Sequence, residues 1–335
     1  MFSKFRKMSI CVLMSTFFVF TFISHAQDTT TCDKGFTPIQ DAVGLTCIPE
    51  ASQRIVALEW TYVEDLLALG IQPVGVADIE GYHEWVKIPV ALDESVVDIG
   101  TRDEPNLEQI AALNPDFIIG VQFRLAENYD DLSAIAPTLV FNPYPANVSV
   151  SQYDEMTTTF KAIAMALGKT AEAEAILANV QTTYDGARAS LEAAGRADES
   201  FILSQGWMYD NIATFRLFTD NAMAVQILEQ IGLTNAWDDA PQLYGFTEIS
   251  IEGFADLKDQ DFNFLYVAQN SDNDFFNSSP IWSSLKFVQN DQAYWMGGDV
   301  WLFGGPLSAQ LLVETVLNQM GIEILTPTAE ATANP

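Results

Sequence analysis

Short runs dominated by apolar residues alternate along this chain with longer stretches in which apolar positions recur every third or fourth residue. The runs at 54–58, 73–77, 96–99 and 117–119 have the length and β-branched character of buried strands. Residues 62–69 carry helical spacing and stop at Gly70. The densest signal lies between Gly100 and Gly120. It predicts a strand end, a loop carrying Arg102, a turn closed by Pro105, a helix capped by Asn106, and the 117–119 strand. Strands alternating with helices predict a mostly parallel sheet. Arg102 then stands at the C-terminal edge of that sheet, where α/β folds place their ligands.

From 152 to 194 the pattern is helical, interrupted inside only by Gly168 and Gly186. A continuous helix over 170–194 would measure about 37 Å, long for a crossover and suited to a rod between two lobes. Beyond it come a strand at 200–204, a helix at 221–231 stopped by Gly232, and a final helix at 308–320. Residues 248–257 repeat the pattern of 105–113. Each has a capping Ser250 or Asn106, an acid two positions on (Glu252 or Glu108), and then a hydrophobic strand, at 262–267 or 117–119. The expected architecture is α/β. Two lobes, at 51–150 and 196–325, are joined through a helical region at 151–195, and a loose tail occupies 326–335.

The N-terminus changes the compartment. Lys4, Arg6 and Lys7 precede an apolar run from Ile10 to Ile23, and Ser24-His25-Ala26 offers a small-x-small cleavage site. That run falls short of the roughly 20 residues that span a bilayer, so 1–26 reads as a cleavable signal peptide and the protein as exported. The net charge of −30, which becomes −33 once those three basic residues leave, argues against nucleic-acid binding and for a soluble monomer. It also leaves a salty habitat open. Cleavage leaves two cysteines, Cys32 and Cys47, expected to form a disulfide in an oxidising compartment and to staple a small ribbon at 27–50.

Catalytic chemistry is poorly represented. The mature chain has one histidine, His83, too few imidazoles or thiolates for a protein zinc or copper site and a poor basis for a Ser–His–Asp triad. No phosphate loop follows a strand. Arginine placement is more informative. Of the six in the mature chain, Arg188 and Arg196 belong to the long helix and its end, and Arg54 leads a strand. Arg102 and Arg124 both fall just past strand ends, where a guanidinium fork suits an anionic, oxygen-rich ligand. Trp60, Trp85, Trp207, Tyr244, Trp301 and Phe303 lie in or near loops and suit the lining of a cleft.

Five stretches carry a family resemblance: Arg54-Ile-Val-Ala-Leu-Glu-Trp60, Val74-Gly-Val-Ala-Asp78, Asp98-Ile-Gly-Thr-Arg102-Asp-Glu-Pro-Asn-Leu-Glu108, Asn235-Ala-Trp237 and Val300-Trp-Leu-Phe-Gly-Gly-Pro-Leu-Ser-Ala309. In these the chain resembles the iron-siderophore periplasmic binding proteins, the class III substrate-binding proteins of ABC importers, and most of all their ferric-hydroxamate binders. The 27–50 segment falls outside the resemblance. It implies two α/β lobes joined by one long helix and a shallow cleft holding a ferric siderophore. No catalysis and no resident cofactor are implied, since the iron stays in its chelator. Arg102 matches the arginine that contacts chelating oxygens. Trp85 and Trp301 match pocket tryptophans, Trp60 also matches, and Tyr244 and Phe303 replace a tryptophan and a tyrosine. Arg124 replaces a tyrosine, a departure that points towards an anionic chelate such as ferric citrate. Glu108 and Glu252 match the acids that dock each lobe on the permease. Two alternatives stand beside this reading. One is a haem or corrinoid carrier of the same fold, with Tyr82, Tyr209 or Tyr244 as ligand candidates. The other is a periplasmic sensor or adhesion module without a small-molecule ligand.

Overall fold

Four of the five short strands of the first lobe are buried on both faces, as a parallel sheet covered by helices requires, and the edge strand at Val97–Asp98 is exposed. A computed structural model describes residues 31–210, 212–257 and 260–325. The expected signal peptide (1–26) and tail (326–335) lie outside them. A hairpin comes first, β1 (Phe36–Asp41) against β2 (Gly44–Pro49), and the Cys32–Cys47 disulfide staples it. Next come β3 (Ile55–Ala57), β4 (Gly75–Val76), β5 (Val97–Asp98), β6 (Phe117–Val121) and β7 (Thr138–Phe141), paired in parallel in the order β5-β4-β3-β6-β7. The chain enters at β3, builds outward to β5, then returns to β6. The crevice between β3 and β6 is therefore the switch point at which such sheets bind ligands.

Residues 32–50 of the ribbon pack on the first lobe. Ile39 and Ile48 have no exposed surface and join the first lobe's core, while the Ala42 N–H donates to Val140 O at 2.8 Å.

The helical region breaks where glycine predicts. Helices Gln152–Ala166 and Thr170–Ala193 flank Gly168, whose φ of +67° suits a residue without a Cβ. The second spans 24 residues, about 36 Å. Its Ala173, Ile176 and Leu177 pack into the first lobe's core, whereas Val180, Tyr184, Ala187 and Leu191 pack into the second's. One rigid rod thus belongs to both cores.

The second sheet is mixed. It contains β8 (Ser200–Tyr209), β9 (Ile212–Phe218), β10 (Thr234–Asn235), β11 (Phe246–Ser250), β12 (Asn263–Val267) and β13 (Ala293–Trp295), in the order β11-β9-β8-β12-β13 with β10 also on β8. The β8 pairings with β10 and β12 and the β12–β13 pairing are parallel; β8–β9 and β9–β11 are antiparallel. The sequence reading stopped β8 at 204 and did not register β9. Strand β8 runs to Tyr209, and Asp210 takes a left-handed φ of +46° where the hairpin turns. The predicted repeat is also looser than expected. Asn106 caps its helix, Leu107–Ala112, accepting from the Glu108 and Gln109 N–H groups at 3.1 Å each. Its counterpart is a 3-10 helix, Ile251–Asp256, with no side-chain cap from Ser250.

The lobes also meet directly. Glu64, on the helix Trp60–Ala68, accepts from the Ser308 backbone N–H at 2.7 Å and from its hydroxyl, and so caps the helix Pro306–Gln319 from across the lobe boundary. A Cβ on Gly304 would lie 2.5 Å from Glu64 Oε2, and one on Gly305 2.4 Å from Asp65 Oδ1. That approach explains the paired glycines.

Candidate functional site

The switch-point crevice opens into a cleft with two chambers. The outer, about 740 Å³, is lined by Trp60, Glu84, Trp85, Arg102, Trp301 and, from the second lobe, Gln205, Trp207, Arg216 and residues 269–272. The inner, about 350 Å³, adds Glu59, Phe123, Arg124, Tyr144, Tyr244, Phe246 and Phe303. Arg102, Arg216 and Trp301 border both.

Glu59 follows β3 and is the N-cap of the helix Trp60–Ala68. Its carboxylate accepts from Arg102 Nη1 at 2.8 Å and from Arg124 Nε at 2.9 Å, with the Trp60 N–H at 3.1 Å. Arg102 also lies 3.6 Å from Asp78 through Nε, and Arg124 Nη1 pairs with Asp103. The Arg102 guanidinium rests 3.5 Å from the Trp60 ring centroid, a cation–π arrangement that fixes its plane. Trp60 itself is only 3% exposed and its indole N–H donates to Asp78 O at 3.1 Å, so it acts chiefly as a platform for Arg102.

The structure thus brings Arg102 and Arg124 together, but not as free cations. Burial disfavours the Arg124 charge, and Glu59 and Asp103 more than offset this, leaving its pKa raised. The positive charge that Arg124 was expected to add is compensated in place, because Glu59 and Asp103 both lie within hydrogen-bonding distance of it. Arg124 also sits on a helical turn, Gln122–Leu125, directly after β6 rather than on an open loop.

The aromatic candidates lie along the two chambers. Trp301 meets Trp60 and Phe303 edge-on, both at 5.3 Å, and its indole N–H is buried with no partner. Trp85 lines the outer chamber. Tyr244 and Phe303 line the inner one. Tyr244 contacts Tyr144 at 5.2 Å and Phe123 at 6.4 Å. Burial, then the Glu59 carboxylate, push the Tyr144 phenol upward, keeping it a hydrogen-bond donor. Of the tyrosines considered as haem ligands, only Tyr244 reaches the cleft. Tyr82 is 3% exposed in the first lobe's core, and Tyr209 ends β8 at 66% exposure. His83 is exposed on the helix Ile79–Trp85 and lines neither chamber.

Sequence reasoning missed Arg216. Alternation along β9 sends Ala213, Phe215 and Leu217 into the core and leaves Arg216 facing the cleft. There it pairs with Glu248 at 3.2 Å, bonds Gln205 at 3.2 Å, and lies over Trp207 and Phe246 at 4.9 and 4.4 Å. The period-2 pattern of 212–218 was the available signal. Tyr144, Phe123 and Glu59 were missed as well; Glu59 stood in plain sight at the end of a buried strand.

Away from the cleft, Arg54 donates to Leu113 O at the end of the helix Leu107–Ala112, and Arg196 grips Glu199 through Nε and Nη2. Glu108 and Glu252 are exposed, each at the second position of its helix. Glu252 has a lowered pKa through its bond with Ser250.

Comparison with known proteins points the same way as this geometry. The chain is 32% identical over 274 residues to the iron(3+)-hydroxamate-binding protein of Escherichia coli strain K12, covering 80% of this chain and 87% of that one. It is 31% identical over 288 residues to the Fe(3+)-citrate-binding protein of Bacillus subtilis strain 168, covering 84% and 85%. The Fe3+–Desferal-bound siderophore-binding protein of Vibrio cholerae superposes with a TM-score of 0.72 at 28% identity, over 80% of this chain and 97% of that one. The family described as periplasmic binding protein matches residues 55–300, most of both lobes, and the chain belongs to that family.

Proposed function

We propose that this protein takes up an intact ferric siderophore in the cleft between its lobes and delivers it to an inner-membrane ABC importer. One observation carries the reading. Arginines from both lobes, Arg102 and Arg216, border both chambers of an aromatic-lined cleft, with Arg124 beside them. Guanidinium groups supply fixed donors for chelator oxygens, and the flat faces of Trp85, Trp207 and Trp301 suit a chelator's organic shell. The lining offers no imidazole or thiolate to compete for the metal, so the iron arrives in its chelator and is cargo. The disulfide fits an oxidising compartment outside the cytoplasm, and no helix among the described residues is long and apolar enough to cross a membrane. In this reading the protein is a periplasmic monomer and performs no chemistry of its own.

Docking on the permease falls to Glu108 and Glu252, whose exposed carboxylates stand one on each lobe. Their other role, complementing a helix N-terminus, is compatible with it. Titrating tryptophan fluorescence with a ferric trihydroxamate, ferric citrate and haem tests the ligand class. Quenching by a ferric siderophore at micromolar concentration or below supports it. Binding of haem alone, or of none of the three, would overturn it.

A further inference from the structure

We infer that Glu59 sets the charge of the chelate this cleft accepts, excluding polyanionic ferric complexes in favour of neutral or cationic ones. The inference rests on the siderophore-carrier reading above and adds a specificity that the reading does not contain.

Glu59 does more than cap a helix. A serine or aspartate would satisfy the Trp60 N–H equally well. The longer side chain carries both oxygens outward, Oε1 to Arg102 and Oε2 to Arg124, partners 43 and 65 residues away. With a side chain only 10% exposed and both oxygens engaged, the carboxylate is held in place between the two guanidinium groups. It lines the inner chamber, so any ligand oxygen that reaches these arginines also meets a fixed negative charge.

The wider lining agrees. The three guanidinium groups around the two chambers face three carboxylates that also line them, Glu59, Glu84 and Asp272. Each arginine also pairs with a further acid, Asp78, Asp103 or Glu248. The chain's net charge of −30 opposes the approach of anions at longer range. What remains is directional donation without excess positive charge. Arg102 and Arg124 engage Glu59 and their second acids through Nε and Nη1, leaving each Nη2 for a ligand. A trihydroxamate, whose three anionic groups balance the ferric ion, can accept those bonds as a neutral whole. Ferric citrate brings uncompensated carboxylates against Glu59, and like charges in a partly desolvated site repel strongly.

The test compares ferric desferrioxamine, a trihydroxamate with a pendant ammonium, and ferric citrate. Both are titrated against the whole mature protein by tryptophan quenching at low and high salt. Wild type should bind the trihydroxamate at least tenfold more tightly. Glu59→Gln, which keeps the shape and one acceptor, should shrink that ratio at least tenfold through tighter ferric citrate binding. Asp103→Asn, at an exposed acid, should move it the same way by less and serves if Glu59→Gln does not fold. A wild-type preference for ferric citrate, or a ratio unmoved in the folded variants, overturns the role of Glu59 and leaves the carrier reading standing. Failure of both chelates to bind overturns the two together.

Discussion

Glu64 has no exposed surface, and its carboxylate receives the Ser308 N–H at 2.7 Å from a helix that belongs to the other lobe. The contact spans 244 residues of sequence and supplies the cap that Gly305, at the helix start, lacks. Burial raises the Glu64 pKa, and the bonds from Ser308 oppose that rise. Replacing Glu64 by alanine leaves a buried N–H and hydroxyl without an acceptor, so stability should fall by about 2 kcal/mol. Chemical denaturation measures it, and an unchanged midpoint would show that the lobes hold together without this cap.

Arg102 is positioned by Glu59 and the Trp60 face and borders both chambers. Arg102→Ala should weaken ferric-siderophore binding at least tenfold, about 1.4 kcal/mol, with the melting temperature little changed. Arg216→Ala, on the opposite wall, should do the same. Quenching titrations decide both, and wild-type affinity in either variant removes that arginine from the site.

A pH dependence follows from Glu155, in the first turn of the helix Gln152–Ala166. Burial raises its pKa from 4.5 to about 7. Between those values the unfolded chain has released a proton that the folded one still holds. Stability therefore falls as pH rises through that window and stays lower above it. Asp65, raised by burial and by Glu64 and Glu155, acts in the same direction. Glu155→Gln should stabilise the protein at pH 8 by up to about 3 kcal/mol and give no gain at pH 4. Urea denaturation at the two pH values provides the check; an equal effect at both would contradict it.

The ribbon's bridge closes a loop of 15 residues, worth at most about 3 kcal/mol by the loop-entropy argument. Because Ile39 and Ile48 are anchored in the first lobe, the double variant Cys32→Ser, Cys47→Ser should keep the hairpin and lose less than that. Calorimetry reads the loss, and unaltered siderophore affinity would place the ribbon outside the binding function.

Docking gives a separate outcome. Charge reversal at Glu108 or Glu252 should abolish delivery to reconstituted importer while leaving ligand quenching as in wild type. Full transport by the double reversal would reassign these acids to helix-end complementation alone.

Local chemistry wrote much of this protein into its sequence. The runs at 55–58 and 117–119 are apolar enough to be buried on both faces, Asn106 caps because its side chain reaches the free N–H groups beside it, and Gly168 ends a helix because a left-handed φ favours glycine. These are decisions within a few residues, as is the placement of Arg102 after a strand. Long-range pairing is different. Nothing near Glu59 shows that it will lie between Arg102 and Arg124, and the latter's meaning changed from a free positive charge to a compensated one on that contact. Arg216 entered the cleft only when β9 found β8 and β11 as antiparallel neighbours. Sequence spacing fixes the direction of a side chain along its own element. Which charges then meet is set by sheet order and by the approach of one lobe to the other, and the electrostatics of the cleft depend on distances of a few ångströms that exist only in the folded chain.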